Sequence, residues 1–163
     1  MDKNLNEHNT LIKKQRANVS GQNSEARVLH LPATLEGYEW RRILLEDFKS
    51  KSAIYNFELN GDEFIGHFIP LSWGHGGTYK GNIIPVNGFE NMRLSNRNPL
   101  KYMKEPRNHP TIKYLAEQNE LTTDEYISFV NWCDKNRRTR KECRAYIGTY
   151  SSIDVWKSER SRN

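Results

Sequence analysis

Three residues at fixed intervals carry side chains suited to hydrolytic chemistry. His67 ends a strand-like run, Asn82 follows fifteen positions later, and Asn91 nine after that. Between the first two lies SWGHGGTYKG over 72–81, with four glycines. A histidine, with an ordinary pKa of about 6.5, can act as a base at neutral pH. An Asn amide oxygen is a hard donor of the kind that Mg²⁺ accepts while keeping several waters. Phosphodiester hydrolysis draws on both: a base to activate water, and positive charge on the oxygens that gain negative charge.

The elements that must position these residues can be read from pattern. Leu35, Tyr38, Trp40, Ile43, Leu44, Leu45 and Phe48 recur at roughly helical spacing and predict a helix over 34–49, with Thr34 as N-cap. Residues 53–59 alternate at Tyr55, Phe57 and Leu59, and 62–70 is a second strand-like run. Asn60-Gly61 between them predicts a hairpin, because both positions tolerate positive φ. Residues 82–86 read as a short strand, Gly88 to Ser95 as one or two helical turns, and 99–105 as a restarted helix after Asn98-Pro99. Helices are expected over 111–118 and 123–136, the second starting at Thr122 or Thr123. Residues 137–145 either continue that helix or form a basic turn. Residues 1–30, rich in Asn, Lys and Ser without periodicity, read as a flexible polar arm. The domain is then 31–150, with its core motif in 53–98, and 151–163 is a polar, basic, frayed tail.

The segments Gly66-His67-Phe68-Ile69-Pro70-Leu71-Ser72, Gly76-Gly77, Asn82-Ile83-Ile84-Pro85 and Asn91 resemble one known superfamily. Their pattern, H-x-x-P-h-S…GG…N-h-x-P…N with h apolar, is similar to that of the HNH or ββα-metal (His-Me finger) nucleases, in an H-N-N form. The resemblance covers 64–98 and does not extend to the flanks. It implies an α+β fold: a ββα-metal core of hairpin plus helix, flanked by N-terminal and C-terminal helices. It implies that His67 is the general base, with Nδ1 oriented by a backbone carbonyl, and that Asn91 is the ligand of Mg²⁺ or Mn²⁺. Asn82 completes the catalytic set by pinning the loop that aims the His ring. The metal would bridge the scissile phosphate and the leaving 3′ oxygen, and the products would carry 5′-phosphates.

One position departs from the pattern. Many HNH enzymes place an Asp or His before the base as a second metal ligand; here that residue is Gly66. The nonspecific DNA/RNA endonucleases of the superfamily also have Gly there, within D-R-G-H, but this chain has Phe64-Ile65-Gly66-His67. Glu90 and Asp62 are the candidate compensating carboxylates, although on a helix Glu90 points about 100° from Asn91. His75 reads as a solvated loop residue and His109 as part of a turn. Trp73 and Tyr79 either stack on bases or pack over the hairpin. Cys133 and Cys143 supply no disulfide framework, and their C-x9-C spacing matches no common zinc site, so no structural zinc is expected.

The net charge of +5 is a small remainder of uneven parts. Residues 135–163 sum to +6, residues 91–113 to +5, and everything else to -6. Arg93, Arg97, Lys101 and Lys104 follow Asn91, and Arg137, Arg138, Arg140, Lys141 and Arg144 crowd the second segment. Both read as candidate phosphate-backbone contacts. No apolar run suits a membrane helix or a signal peptide, so a cytoplasmic protein without a membrane partner is expected. The expected partner is nucleic acid, DNA over RNA by analogy with relatives, and the chain would act as monomer or homodimer. The alternative is a catalytically inactive HNH-fold module that binds nucleic acid or inhibits a protein.

Overall fold

The computed structural model describes residues 3–162 and builds the molecule around one antiparallel strand pair. Strand β1 (Glu63–His67) pairs with β2 (Ile83–Asn87) in a register that sets Gly66 opposite Ile84 and His67 opposite Ile83. Gly66 has a packing reason to lack a side chain: a Cβ there would lie 2.9 Å from Val86 Cγ2. The run Ile83-Ile84-Pro85-Val86 is buried throughout. Ile84 and Val86 enter the main core, and Ile83 enters a second cluster with Leu35, Trp40 and Ile43. A strand buried on both faces is apolar at every position rather than alternating.

Helix α3 (Gly88–Leu94) follows β2 without a linker. Asn87 caps it: Oδ1 accepts the Glu90 N–H at 2.8 Å, while the Glu90 carboxylate accepts the Asn87 N–H at 3.0 Å. The Glu90 carboxylate is buried and also accepts the Ser52 hydroxyl. It is committed to holding the helix start and does not compensate for Gly66.

The remaining helices wrap this unit. Helix α2 (Gly37–Arg42) runs into a π-helical turn over Ile43–Asp47, closed by Phe48 N–H to Ile43 O at 3.0 Å. It starts after Glu36 rather than at Thr34, with the Glu39 carboxylate accepting the Glu36 N–H at 2.9 Å. Helices α4 (Pro110–Gln118) and α5 (Thr123–Lys135) bring Ile112, Leu115, Tyr126, Phe129 and Val130 onto Phe68, Trp73 and Ile84. Burying an aliphatic or aromatic side chain of this size is worth about 1.5–3 kcal/mol each. Residues Pro99–Tyr102 form a single 3₁₀ turn, shorter than the helix expected over 99–105.

Further expectations are corrected. The Asn60-Gly61 hairpin does not form between 53–59 and 62–70. Instead the chain folds back within 50–59, with Ser52 N–H to Phe57 O and Leu59 N–H to Ser50 O, around Asn56 at φ 59°. Ala53 N–H then donates to Pro85 O, and β1 finds its partner across the glycine loop. The expected flexible arm is helix α1 (Lys3–Val28), whose Gln15, Val19, Asn23 and Ala26 are buried. The expected frayed tail is helix α7 (Ser152–Arg160), whose Trp156 is buried against Phe129. Residues 1, 2 and 163 lie outside the described residues. Residues 137–145 continue α5 no further: Thr139 caps a separate helix, α6 (Arg140–Ala145). Among the described residues no helix is long and apolar enough to cross a membrane.

Candidate catalytic cleft

The loop between β1 and β2 is held from five directions. Asn82 is fully buried; its Oδ1 accepts the Ile69 N–H at 2.7 Å, and its Nδ2 donates to Ile69 O at 3.0 Å and Gly77 O at 2.8 Å. One amide thus ties the strand exit to the glycine pair. Gly76 and Gly77 sit at φ 75° and 134°, and a Cβ on Gly77 would meet Pro32 O at 2.5 Å. His75 is buried, not solvated as expected. Its Nε2–H donates to Asn136 O at 2.6 Å, and its Nδ1 accepts from Ser152 Oγ at 3.0 Å, which also takes the Gly76 N–H at 3.2 Å. Burial lowers the His75 pKa from its ordinary value, and the nearby Arg138 charge adds to that, against the Asn136 hydrogen bond. Tyr79 donates to Asn119 Oδ1 at 2.8 Å, and burial raises its pKa.

His67 closes β1 and is half-buried. Its Nε2 lies 2.8 Å from Thr78 Oγ1, and the Thr78 hydroxyl donates to the carbonyl of Gln22 on α1 at 3.0 Å. The ring is therefore oriented by a hydroxyl at Nε2; the expected carbonyl at Nδ1 is not what holds it. The atoms packed around the ring lower its pKa to about 4, so it is neutral at pH 7.

His67 and Asn91 line the same cleft, of about 930 Å³. One wall is β1, with Asp62, Glu63 and Phe64. The other is α1, with Lys14, Asn18, Gln22 and Glu25 spaced along one helical face. Asn91 is exposed on α3; its backbone carbonyl accepts the Ser95 N–H at 2.9 Å, and its side-chain amide makes no hydrogen bond to a described residue. The oxygen donors lining the cleft are the amides of Asn18, Gln22 and Asn91 and the carboxylates of Glu25, Asp62 and Glu63; among the described residues no three His, Cys, Asp or Glu side chains gather into a metal-binding cluster. Asp62, one of the two carboxylates considered from sequence, does border the cleft. Glu25 was hidden from sequence reasoning because it falls on the segment read as an arm.

The basic residues divide into two kinds. Arg93, Arg97, Lys101 and Lys104 are exposed, with Arg97 bonded to Tyr102 Oη at 3.1 Å and Arg93 over the Tyr102 ring. Arg140, Lys141 and Arg144 are exposed on α6. Arg137 and Arg138, expected as phosphate contacts, are engaged internally. Arg137 pairs with Asp134 at 2.7 Å, stacks on Trp73 and donates to Asn96 O at 3.2 Å. Arg138 lies over the Tyr150 ring at 3.9 Å, and its backbone N–H is bound to Trp73 O at 2.8 Å. Asn96 and Arg137 thereby join the two basic segments at one place.

Trp73 packs inside, donating its Nε1–H to Asn96 O at 2.7 Å, while Tyr79 is half-buried with its hydroxyl tied to Asn119. His109 is the expected turn residue and caps α4, accepting the Thr111 N–H at 3.2 Å. Cys133 and Cys143 are buried free thiols, and burial raises the pKa of both. On β1 and α3 the exposed apolar side chains are Phe64, Phe89 and Met92, at 50%, 62% and 70%. Phe64 itself lines the cleft and lies over Gly88 at the start of α3. No family model matches the chain, and neither a curated protein nor a solved structure does.

Proposed function

We propose that the chain is a metal-dependent endonuclease of the HNH type that hydrolyses phosphodiester bonds of nucleic acid, DNA over RNA. The observation that carries the reading is that His67 and Asn91, far apart in sequence, line one cleft. The order β1, β2, α3 and the loop-pinning amide of Asn82 are what the sequence resemblance implies, and they support it.

In this reading Nδ1 of His67 takes a proton from the attacking water, and Asn91 holds the divalent cation with help from the acidic rim of the cleft. When bound, Mg²⁺ or Mn²⁺ supplies charge to the phosphate oxygens and the leaving oxygen. Arg93 and Arg97 lie past Asn91 where they can take the phosphate backbone, and α6 extends the track with Arg140, Lys141 and Arg144. A second reading, a nucleic-acid-binding module without turnover, has one observation in its favour. Burial holds His67 near a pKa of about 4, and a base that weak abstracts protons poorly.

The test is incubation with supercoiled plasmid and with RNA, in Mg²⁺, Mn²⁺ or EDTA, beside His67→Ala and Asn91→Ala. Cleavage that needs the metal and both side chains supports the enzyme. If wild type and His67→Ala are equally inert while both bind DNA, the second reading takes its place.

A further inference from the structure

We infer that Thr78 is a positioning residue for His67, and that α1 belongs to the working site because its Gln22 carbonyl aims the Thr78 hydroxyl. The inference rests on the reading of His67 as the base. With the Thr78 hydroxyl directed at Gln22 O, the three groups take one arrangement of protons. A carbonyl oxygen only accepts, so Thr78 gives its single hydroxyl hydrogen to Gln22 O, 3.0 Å away. The Thr78 oxygen then offers only lone pairs to His67 Nε2 at 2.8 Å, so that nitrogen carries the hydrogen. The neutral ring keeps its remaining lone pair on Nδ1, the atom that must receive a proton from water.

Thr78 is fixed well enough to impose this. It is fully buried; its N–H donates to Pro32 O at 2.8 Å, and its carbonyl accepts from Thr34 and Leu35 at 2.9 and 3.1 Å. The hydroxyl cannot turn to donate to His67 without leaving Gln22 O. The tautomer of His67 is therefore set by a relay that begins on α1, at a residue well N-terminal to the segment 64–98 that carries the nuclease resemblance.

The experiment uses the full chain labelled with ¹⁵N-histidine, the His67 signals being assigned by their loss in His67→Gln. Ring ¹⁵N shifts report the tautomer, and plasmid cleavage with Mg²⁺ reports kcat and KM. In wild type and Thr78→Ser, His67 is expected as the Nε2–H tautomer. In Thr78→Val and Thr78→Ala that pure signature is lost and kcat falls at least about tenfold, with KM within about twofold. A wild-type ring in the Nδ1–H form overturns the proposal, and so does a Thr78→Val protein that keeps both the tautomer and the rate. The wild-type measurement decides even if Thr78→Val does not fold. If the tautomers behave as stated but no nucleic acid is cut, the positioning role stands and the nuclease reading falls.

Discussion

Asn82→Ala is the substitution whose cost can be worked most directly. The side chain is fully buried, and its loss strands three groups at once: the Ile69 N–H, the Ile69 carbonyl and the Gly77 carbonyl. Each buried polar group left without a partner costs about 1–3 kcal/mol. The three share one small volume, and a water entering the vacated space can recover part of the loss, so they do not add fully. A total of about 3–5 kcal/mol follows, which for a chain of this length lowers Tm by roughly 6–20 °C. Thermal unfolding followed by circular dichroism measures it, beside two references. Asn87→Ala removes only a helix cap and should cost about 1 kcal/mol. Asn60→Ala, at an exposed position, should cost almost nothing. An Asn82→Ala shift no larger than that of Asn87→Ala refutes the claim that this amide pins the loop.

Stability should fall as pH drops from about 6.5 toward 4, because there the unfolded chain binds protons at His67 and His75 that the folded chain refuses. The His67 part is at most about 3 kcal/mol, fully present above the unfolded pKa, and urea titrations of wild type and His67→Gln should diverge in slope across that window. Reversing Arg140, Lys141 and Arg144 to Glu should weaken nucleic-acid binding and flatten the plot of log K against log salt by up to about three units, while the metal requirement of cleavage stays; fluorescence anisotropy at several salt concentrations reads this. Phe89→Ala should weaken binding of single-stranded DNA by about 1–3 kcal/mol if an unpaired base stacks there, with little effect on Tm.

What could be read from sequence was what local pattern alone decides. Helices α4 and α5 announce themselves by period and by caps, with Thr122 accepting the Glu125 N–H at 3.2 Å. β2 announces itself as a short apolar run, and α3 by its length after Gly88. The false hairpin came from a good local signal, since Gly61 does take positive φ, at 87°. What decides pairing there is tertiary: Ala53 bonds to Pro85 across the sheet edge, and no local pattern encodes that. Helix α1 was illegible for a related reason. Two of the four buried positions on its inner face are Gln15 and Asn23, so the apolar stripe that would reveal an amphipathic helix is half polar. Asn23 is buried because its Nδ2 donates to Leu35 O at 2.8 Å, a partner visible only once both segments are placed. Residue type and spacing single out His67, Asn82 and Asn91, and the structure brings His67 and Asn91 to one cleft and puts Asn82 in the loop behind it. Gln22 contributes through its backbone and Thr78 through a common hydroxyl, so neither residue type distinguishes them in the sequence.

The placement of charge sharpens the chemistry proposed for the cleft. Counted by sequence segment, basic residues follow Asn91 closely and suggest a cationic site. In space the charged residues lining the cleft are Lys14 against Glu25, Asp62 and Glu63, while Arg93, Arg97 and the α6 cations stand outside it. A cleft of that sign concentrates a divalent cation and disfavours a phosphate arriving without one. In the proposed nuclease the exposed arginines and lysines would attract the polyanion over a larger surface, through contacts that salt weakens. Cation first, among the acidic residues that line the cleft, and backbone second, on the cations outside it, is the order the proposed mechanism would follow. It assigns separate jobs to two sets of charges that a single net value of +5 conceals. Neutralising Glu25 should therefore raise the Mg²⁺ concentration needed for half-maximal cleavage and leave metal-free DNA affinity unchanged or slightly tighter. Neutralising Arg93 should weaken DNA affinity and leave the Mg²⁺ concentration for half-maximal cleavage unchanged.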